Sequence, residues 1–456
     1  MADEVIDTLN RSAKLFIDRG AVGTIEEATE KLRAFRMHLF IGPTAAASAT
    51  HQAALLTAVN CGRRTFLGGV TVSGALDTRL AVAIAPGETL AEAVEALRGT
   101  VVTDVPNDTP FVSVGPPPVD ERDGFAIRTT FDGWRAGILP LRQPGLEERQ
   151  EFTPAGVLSG ALAVAEVFAY LDGDRMAGYR TVGLSLWDQS SSTDWTAENP
   201  EERPATDLPS DLWIIGLGHL GQAFLWTLGL LPYATPSNVR LFLQDVDPAG
   251  ESTESTSVLT KEADRGRLKT RICADWAETR RFQTRMVERR FAADFRVADD
   301  EPLLALCGVD NPEARAILEG AGFATVFEAG LGSGVEDFRL IRTHSFPGPI
   351  AAAEIWATPS EDELQAAPEP PPAAYRDLHD RGALDECGLT RLAEVAVGAP
   401  FVGMAAAAVL IAQTIRMVAD GARPTVLNLD LRALQHRRQV MLTKPDIVLF
   451  GVTGSA

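Results

Sequence analysis

Residues 212–222, LWIIGLGHLGQ, carry the clearest chemical signal in the chain. The apolar run 212–215 suits a buried parallel strand, and Gly216, Gly218 and Gly221 follow it as G-x-G-x-x-G. A helix-compatible run, 223–231, comes next, and a second apolar strand, 239–243, leads to Asp245 and Asp247. Glycines let a backbone come close to a phosphate or ribose, while the opening helix turns free N–H groups and the positive end of its dipole toward it. An acid at the tip of the second strand accepts ribose hydroxyls. A nicotinamide cofactor and ATP both fit this unit. A purely structural use of the glycines, for tight helix–strand packing, is the plain alternative.

The elements that must position this turn come from a chain long enough for two domains. Apolar residues make up 45% and charged residues 23% of its 456 positions, so most of it should fold. A net charge of −20 repels phosphate backbones and argues against nucleic acid as the main partner. Four cysteines with no C-x-x-C, and six histidines without ligand spacing, argue against a disulfide scaffold or zinc site. The amino terminus lacks the apolar core of a signal peptide. The uncharged run 395–412 is Ala-rich and broken by Gly398, Pro400 and Gly403, which reads as a buried helix and not a membrane span. The expectation is a soluble cytoplasmic protein with no membrane partner.

Taken in order, residues 5–18 and 25–35 read as helices, the second capped by Thr24 with Glu27 three residues on. Residues 37–42, 68–72, 110–114, 125–141 and 181–187 read as strands, with helices near 48–61, 91–97 and 153–171. The first strand–turn–helix unit turns on G-P-T-A-A-A, without phosphate-cradling glycines. Residues 188–210 are polar and proline-containing, a linker or ordered connector. Beyond the glycine motif, strands are expected at 303–310, 325–329, 338–345, 426–431 and 439–442. Residues 358–374 are rich in Pro and Glu and read as a mobile loop. Two Pro-led helices of small residues, TPAGVLSGALAVAEVFAYL and APFVGMAAAAVLIAQTIRMVAD, occupy comparable places in the two halves. This faint self-similarity suggests duplication, with only the second half keeping a competent glycine loop.

In the second half, the glycine turn, Asp245-x-Asp247, G-R-L-K ending at Lys269, and C-G-V-D-N-P-E-A-R at 307–315 follow one another. In this order and spacing they resemble the ThiF/MoeB superfamily, which includes ubiquitin-activating enzymes, over most of 210–415. The resemblance implies an α/β protein of two Rossmann-like halves in tandem. A degenerate first half (1–187) and a linker (188–210) would precede an ATP-binding ThiF-type domain (211–456) with a flexible crossover loop at 358–386. It implies that Gly216, Gly218, Gly221, Asp245 and Asp247 hold ATP, with Asn311 and Thr256 nearby, and that Lys269 neutralises the phosphates. It implies that Asp310 sits by the α-phosphate through Mg²⁺. Physically the assignment is sensible, because a carboxylate attacking an α-phosphate gathers anions that need a cation, a metal and helix N-termini. The plain alternatives are Lys269 on a solvated helix face and Asp310 as a helix cap.

Where the family has Asn and Arg after D-x-D, this chain has Thr253 and Thr256, uncharged at a phosphate; Arg265 or Arg267 could substitute. Family members usually work as dimers in which a partner lends an arginine. Here the first half could lend it within the chain as a pseudo-dimer, with Arg11 or Arg19 as donor, and two such chains could also pair. Cys387, after the proline-rich segment, is the candidate nucleophile for a thioester; Cys61, Cys273 and Cys307 read as structural. The reading is ATP-dependent adenylation of the C-terminal carboxylate of a ubiquitin-like carrier or peptide. A nicotinamide-dependent oxidoreductase and a catalytically silent nucleotide-binding scaffold are the alternatives.

Overall fold

The computed structural model describes residues 8–118, 122–190, 193–357, 372–385, 389–390, 392–393, 395–442 and 451–453. It contains two mixed sheets in tandem. The first holds β1 (Met37–Ile41), β2 (Val70–Gly74), β3 (Thr100–Val101), β4 (Phe111–Val114), β5 (Ala126–Asp132), β6 (Arg135–Pro140) and β7 (Val182–Ser185), in the order β3-β2-β1-β4-β5-β6-β7. Strands β3 to β5 run parallel, and β6 and β7 extend the sheet antiparallel.

A short strand, β8 (Asp207–Pro209), precedes the second sheet and pairs with the distant β17 (Gly451–Thr453). The second sheet holds β9 (Asp211–Ile215), β10 (Arg240–Gln244), β11 (Gln283–Val287), β12 (Leu304–Cys307), β13 (Thr325–Leu331), β14 (Leu340–Phe346), β15 (Arg423–Asp430) and β16 (Arg438–Leu442). Their order, β11-β10-β9-β12-β13-β14-β15-β16, repeats that of the first sheet with one added edge strand. The change from parallel to antiparallel falls at the same place, after β13.

The two Pro-led helices also match. Thr153–Leu171 joins β6 to β7, and Pro400–Asp420 joins β14 to β15. They pack on each other, with Phe168 and Phe401 ring centroids 5.8 Å apart, inside one apolar core shared by both halves. Both are long and apolar enough to cross a membrane by composition, yet 89% and 94% of their apolar windows lie buried within the fold. Small residues permit this crowding. A Cβ on Gly156 or Gly160 would lie 2.1 or 2.4 Å from the Thr50 or Ala54 carbonyl oxygen of the helix Ala49–Thr65. The opposite face of the second sheet carries a separate aromatic cluster of Trp213, Phe242, Phe291, Phe295 and Phe323.

In segment 188–210, read as a linker or ordered connector, Arg437 donates to the carbonyls of Gln189 and Thr193, Trp195 is buried, and β8 lies within it. The mobile loop expected at 358–374 lies mostly outside the described residues; farther along the expected crossover loop, Ala373–Asp380 forms a helix that buries Ala374, Tyr375 and Leu378. The helix after β12 is short, Pro312–Ala316 followed by a single 3₁₀ turn.

Candidate functional site

The site lies where the parallel strands of the second sheet end. After β9, Gly216 adopts φ +82°, a conformation that favours glycine. A Cβ on Gly221 would stand 2.0 Å from the Gly216 carbonyl oxygen, so only glycine lets the helix His219–Gly229 start this close to the strand. Gly218, at the N-cap, faces open space, and a methyl group there would meet nothing within 4 Å. Packing therefore accounts for Gly216 and Gly221 and leaves Gly218 available for a ligand.

Asp245, just beyond β10, accepts the Leu217 N–H at 2.7 Å through Oδ2 and the Asp247 N–H at 2.8 Å through Oδ1. It braces the glycine turn and remains half-exposed. The chain returns at Lys269, first residue of the helix Lys269–Glu278, whose N–H reaches the Asp247 carbonyl at 3.0 Å. Its Nζ lies 3.2 Å from Asp247 Oδ2, with the side chain only 15% exposed. Lys269 is therefore directed at the tip of β10 and is no solvated face charge.

The neighbouring strand β12 contributes Asp310. Gly308 fits beneath Leu220, and Val309 lies against Gly216, where a Cβ would meet Val309 Cγ1 at 2.8 Å. Asp310 then stands exposed, without a hydrogen bond among the described residues. Capping falls to Asn311, whose Oδ1 accepts the N–H groups of Glu313 and Ala314 at 2.8 and 3.3 Å. The expected capping alternative for Asp310 is thus met by its neighbour, and Asn311 spends its side chain on the helix.

The amino-terminal segment reaches this end of the second half. Arg11 donates its N–H to Ser255 Oγ at 3.2 Å, and its carbonyl accepts the Gly398 N–H at 3.3 Å. A Cβ on Gly398 would meet Arg11 Cβ at 3.4 Å and Thr256 Cγ2 at 3.0 Å, so Arg11, Thr256 and Gly398 share one corner. Thr256 is buried there, and Thr253 Oγ1 accepts the Gly250 N–H at 2.9 Å. Arg19 instead pairs with Asp172 at 2.9 Å, Arg265 with Glu251 at 2.6 Å, and Arg267 with Asp264 and Asp275.

His219, inside the glycine motif, is not among the residues singled out from the sequence. Burial pushes its pKa down to about 4; the Arg11 charge acts in the same direction, and backbone groups of Ala399 and Pro400 act against it. Gly403 makes room for the ring, since a Cβ there would lie 2.4 Å from Nε2. An imidazole within a glycine turn is the signal that could have found it. Among the described residues no group of three or more His, Cys, Asp or Glu could hold a metal. A metal at Asp310 would have one protein ligand and depend on phosphate oxygens and water, a donor set that suits Mg²⁺.

Cys61, Cys273 and Cys307 are buried, and burial raises all three thiols, Cys61 and Cys307 to about 12. They are packing residues. Cys387 lies outside the described residues.

The first half offers a register-matched comparison. His38 pairs with Thr71 and Phe111 as Trp213 pairs with Phe242 and Ala305. In that register Gly74 stands where the second half has Asp245, and Pro116 where it has Asp310. Leu90 opens the helix that Lys269 opens in the second half. All three charged positions are missing.

Residues 36–186 match the BilD N-terminal domain, and residues 208–421 match the BilD C-terminal domain. The chain is 43% identical over 416 residues to the bacterial E1-like protein BilD of Collimonas sp. (strain OK412), spanning 91% of this chain and 89% of that protein. Solved structures of E. coli MccB with MccA-N7isoASN and of PaaA are more remote. MccB shows a TM-score of 0.34 and 13% identity over 53% of this chain and 67% of its own. PaaA shows 0.32 and 15% over 61% and 70%. The match to BilD extends over both halves, including the glycine turn of the second, and on that ground the chain belongs to the BilD family.

Proposed function

We propose that the second half joins a carboxylate to AMP, and that its substrate is the C-terminus of a ubiquitin-like carrier protein or peptide. One observation carries the reading: the glycine turn, Asp245 and Asp310 follow three adjacent parallel strands at one end of the sheet, with Lys269 tied to the same end, and the matching positions in the first half carry no charge. The E1-like description of the Collimonas relative supports it.

In the proposed reaction a carboxylate oxygen attacks the α-phosphorus of ATP, and the bond from that phosphorus to the bridging oxygen breaks, releasing pyrophosphate. The helix starting at His219 directs N–H groups at the phosphates, Asp245 accepts ribose hydroxyls, and Lys269 offsets charge on the departing pyrophosphate. Mg²⁺ held with Asp310 would supply Lewis-acid stabilisation of the phosphate oxygens. Arg11 would add a cation from the first half within the same chain, the role a second subunit plays in a dimer. A thioester on Cys387, formed as its thiolate displaces AMP, is a further part of the proposal.

ATP–pyrophosphate exchange driven by carrier tails with free carboxylates tests this. Exchange that needs both a tail and Asp310 is expected. No exchange with any tail, alongside NAD binding, would overturn it in favour of an oxidoreductase, in which Asp310→Ala should leave activity intact. A second reading, a silent nucleotide-binding scaffold, draws on Thr253 and Thr256, whose hydroxyls serve the local fold or lie buried where the family places phosphate contacts. Tight ATP binding without turnover of any tail would favour it.

A further inference from the structure

We infer that Glu328 is a positioning residue for the loop that carries Asp310, acting through Arg315, with His344 as its anchor; this rests on the adenylation reading for its catalytic meaning. Glu328 lies mid-strand on β13 and is fully buried. Register places it between Cys307 of β12 and His344 of β14. A buried carboxylate is costly unless it is paired, and Glu328 is paired on both sides. His344 Nδ1 lies 2.7 Å from Oε2, and Arg315 Nε lies 3.2 Å from Oε1.

Arg315 passes this restraint to the site. Its Nε donates to the Val309 carbonyl at 2.7 Å, one residue before Asp310. Val309 in turn packs on the Gly216 turn. Two features hold the guanidinium in place. Gly330 leaves it space, since a Cβ there would meet Nη1 at 3.0 Å, and the Trp356 ring lies 4.6 Å beneath it. The same indole meets the His344 ring edge to face at 5.7 Å. The row His344, Glu328, Arg315, Val309 therefore runs from the antiparallel part of the sheet to the glycine turn. None of its ionic members touches the open space beside Gly218, so their contribution is to geometry.

Without Glu328's charge, Arg315 has no anion among the described residues to hold it under Val309, and the loop 308–311 gains freedom. Reacting groups displaced by about 1 Å lose on the order of 100-fold in rate, so a loosened Asp310 should lower turnover without weakening ATP binding to the glycine turn. Glu328→Gln keeps volume and an acceptor for His344 while removing the charge. In ATP–pyrophosphate exchange we expect kcat to fall at least about tenfold, with KM for ATP within about twofold. Hydrogen exchange should show amides 308–316 losing protection while those of Pro400–Asp420 keep theirs. Glu328→Asp should recover part of the rate, and Glu328→Gln combined with Arg315→Lys should cost less than the sum of the two. Unchanged kcat and unchanged protection at 308–316 in Glu328→Gln would overturn the inference. If the wild-type chain shows no exchange, the adenylation reading falls, and hydrogen exchange alone then decides whether Glu328 holds the loop.

Discussion

Lys269 Nζ and Asp247 Oδ2 meet at 3.2 Å across the mouth of the second sheet, which ties the first residue of one helix to the tip of β10. A lysine held in this way is aimed before any ligand arrives. The contact holds its ammonium at the tip of β10 and restricts the rotamer freedom a loose surface lysine would have.

The proposed adenylation site is testable by charge removal at Lys269 and Asp310. Lys269→Ala and Asp310→Ala should each lower tail-dependent exchange by about 10²–10³-fold, the usual loss when a group facing developing charge is removed. Asp310 is exposed and makes no bond among the described residues, so the melting temperature of Asp310→Ala should stay near that of the wild type. Exchange rates and thermal melts of the same preparations check both halves of the statement.

The glycines should separate by role. Gly221→Ala drives a methyl to within 2.0 Å of the Gly216 carbonyl oxygen and should cost about 2–3 kcal/mol of stability by overpacking. Gly218→Ala meets nothing within 4 Å and should cost about 1 kcal/mol or less, the N-cap preference for glycine over alanine. It should nonetheless weaken ATP binding, because its methyl would enter the ligand's space. Urea unfolding and nucleotide titration read the two effects apart.

His38 should give the first half an acid-sensitive stability. Burial holds its pKa down at about 4, from an ordinary 6.5, and its ring bonds Thr71 and Ser73 hydroxyls at 2.8 and 2.9 Å. Between pH 6.5 and 4 the unfolded chain binds a proton that the folded chain refuses, so stability falls as pH falls, by up to about 1 kcal/mol per pH unit. Above pH 6.5 the ring is neutral in both states and contributes no slope. Urea midpoints across this range should be less steep for His38→Gln than for the wild type.

The halves should unfold together. Arg64, on the first half's Ala49–Thr65 helix, is fully enclosed and donates to the carbonyls of Glu254, Val258 and Thr260 in the second half at 2.9, 2.9 and 3.0 Å. Arg64→Met would strand those acceptors in the core and should cost at least about 3 kcal/mol. Calorimetry should show one transition in the wild type and a split or lowered one in the variant.

Much of the architecture could be read from local pattern. The small-residue helix expected at 153–171 is Thr153–Leu171, and the glycine turn lies between the strand and helix its spacing required. The faint similarity of the two Pro-led helices becomes matched strand order in two sheets. These features depend on periodicity, proline and glycine, which act over a few residues. Strand β11 carries no such signal, because its edge position leaves QTRMV largely exposed, without an apolar pattern. The β8–β17 pair joins segments far apart in the chain, where no local signal exists.

Sequence alone therefore determined that a glycine turn and an acid at the tip of the next strand, Asp245, belong to one βαβ unit, because their spacing is short-range geometry, while Lys269 and Asp310 entered through the family resemblance. Tertiary structure decided the rest. It chose Asn311 over Asp310 as the helix cap, carried Arg11 across from the first half to Ser255, and set Glu328 between His344 and Arg315. Each of those outcomes depends on which buried group finds a partner once distant strands lie side by side, and no window of neighbouring residues contains that information.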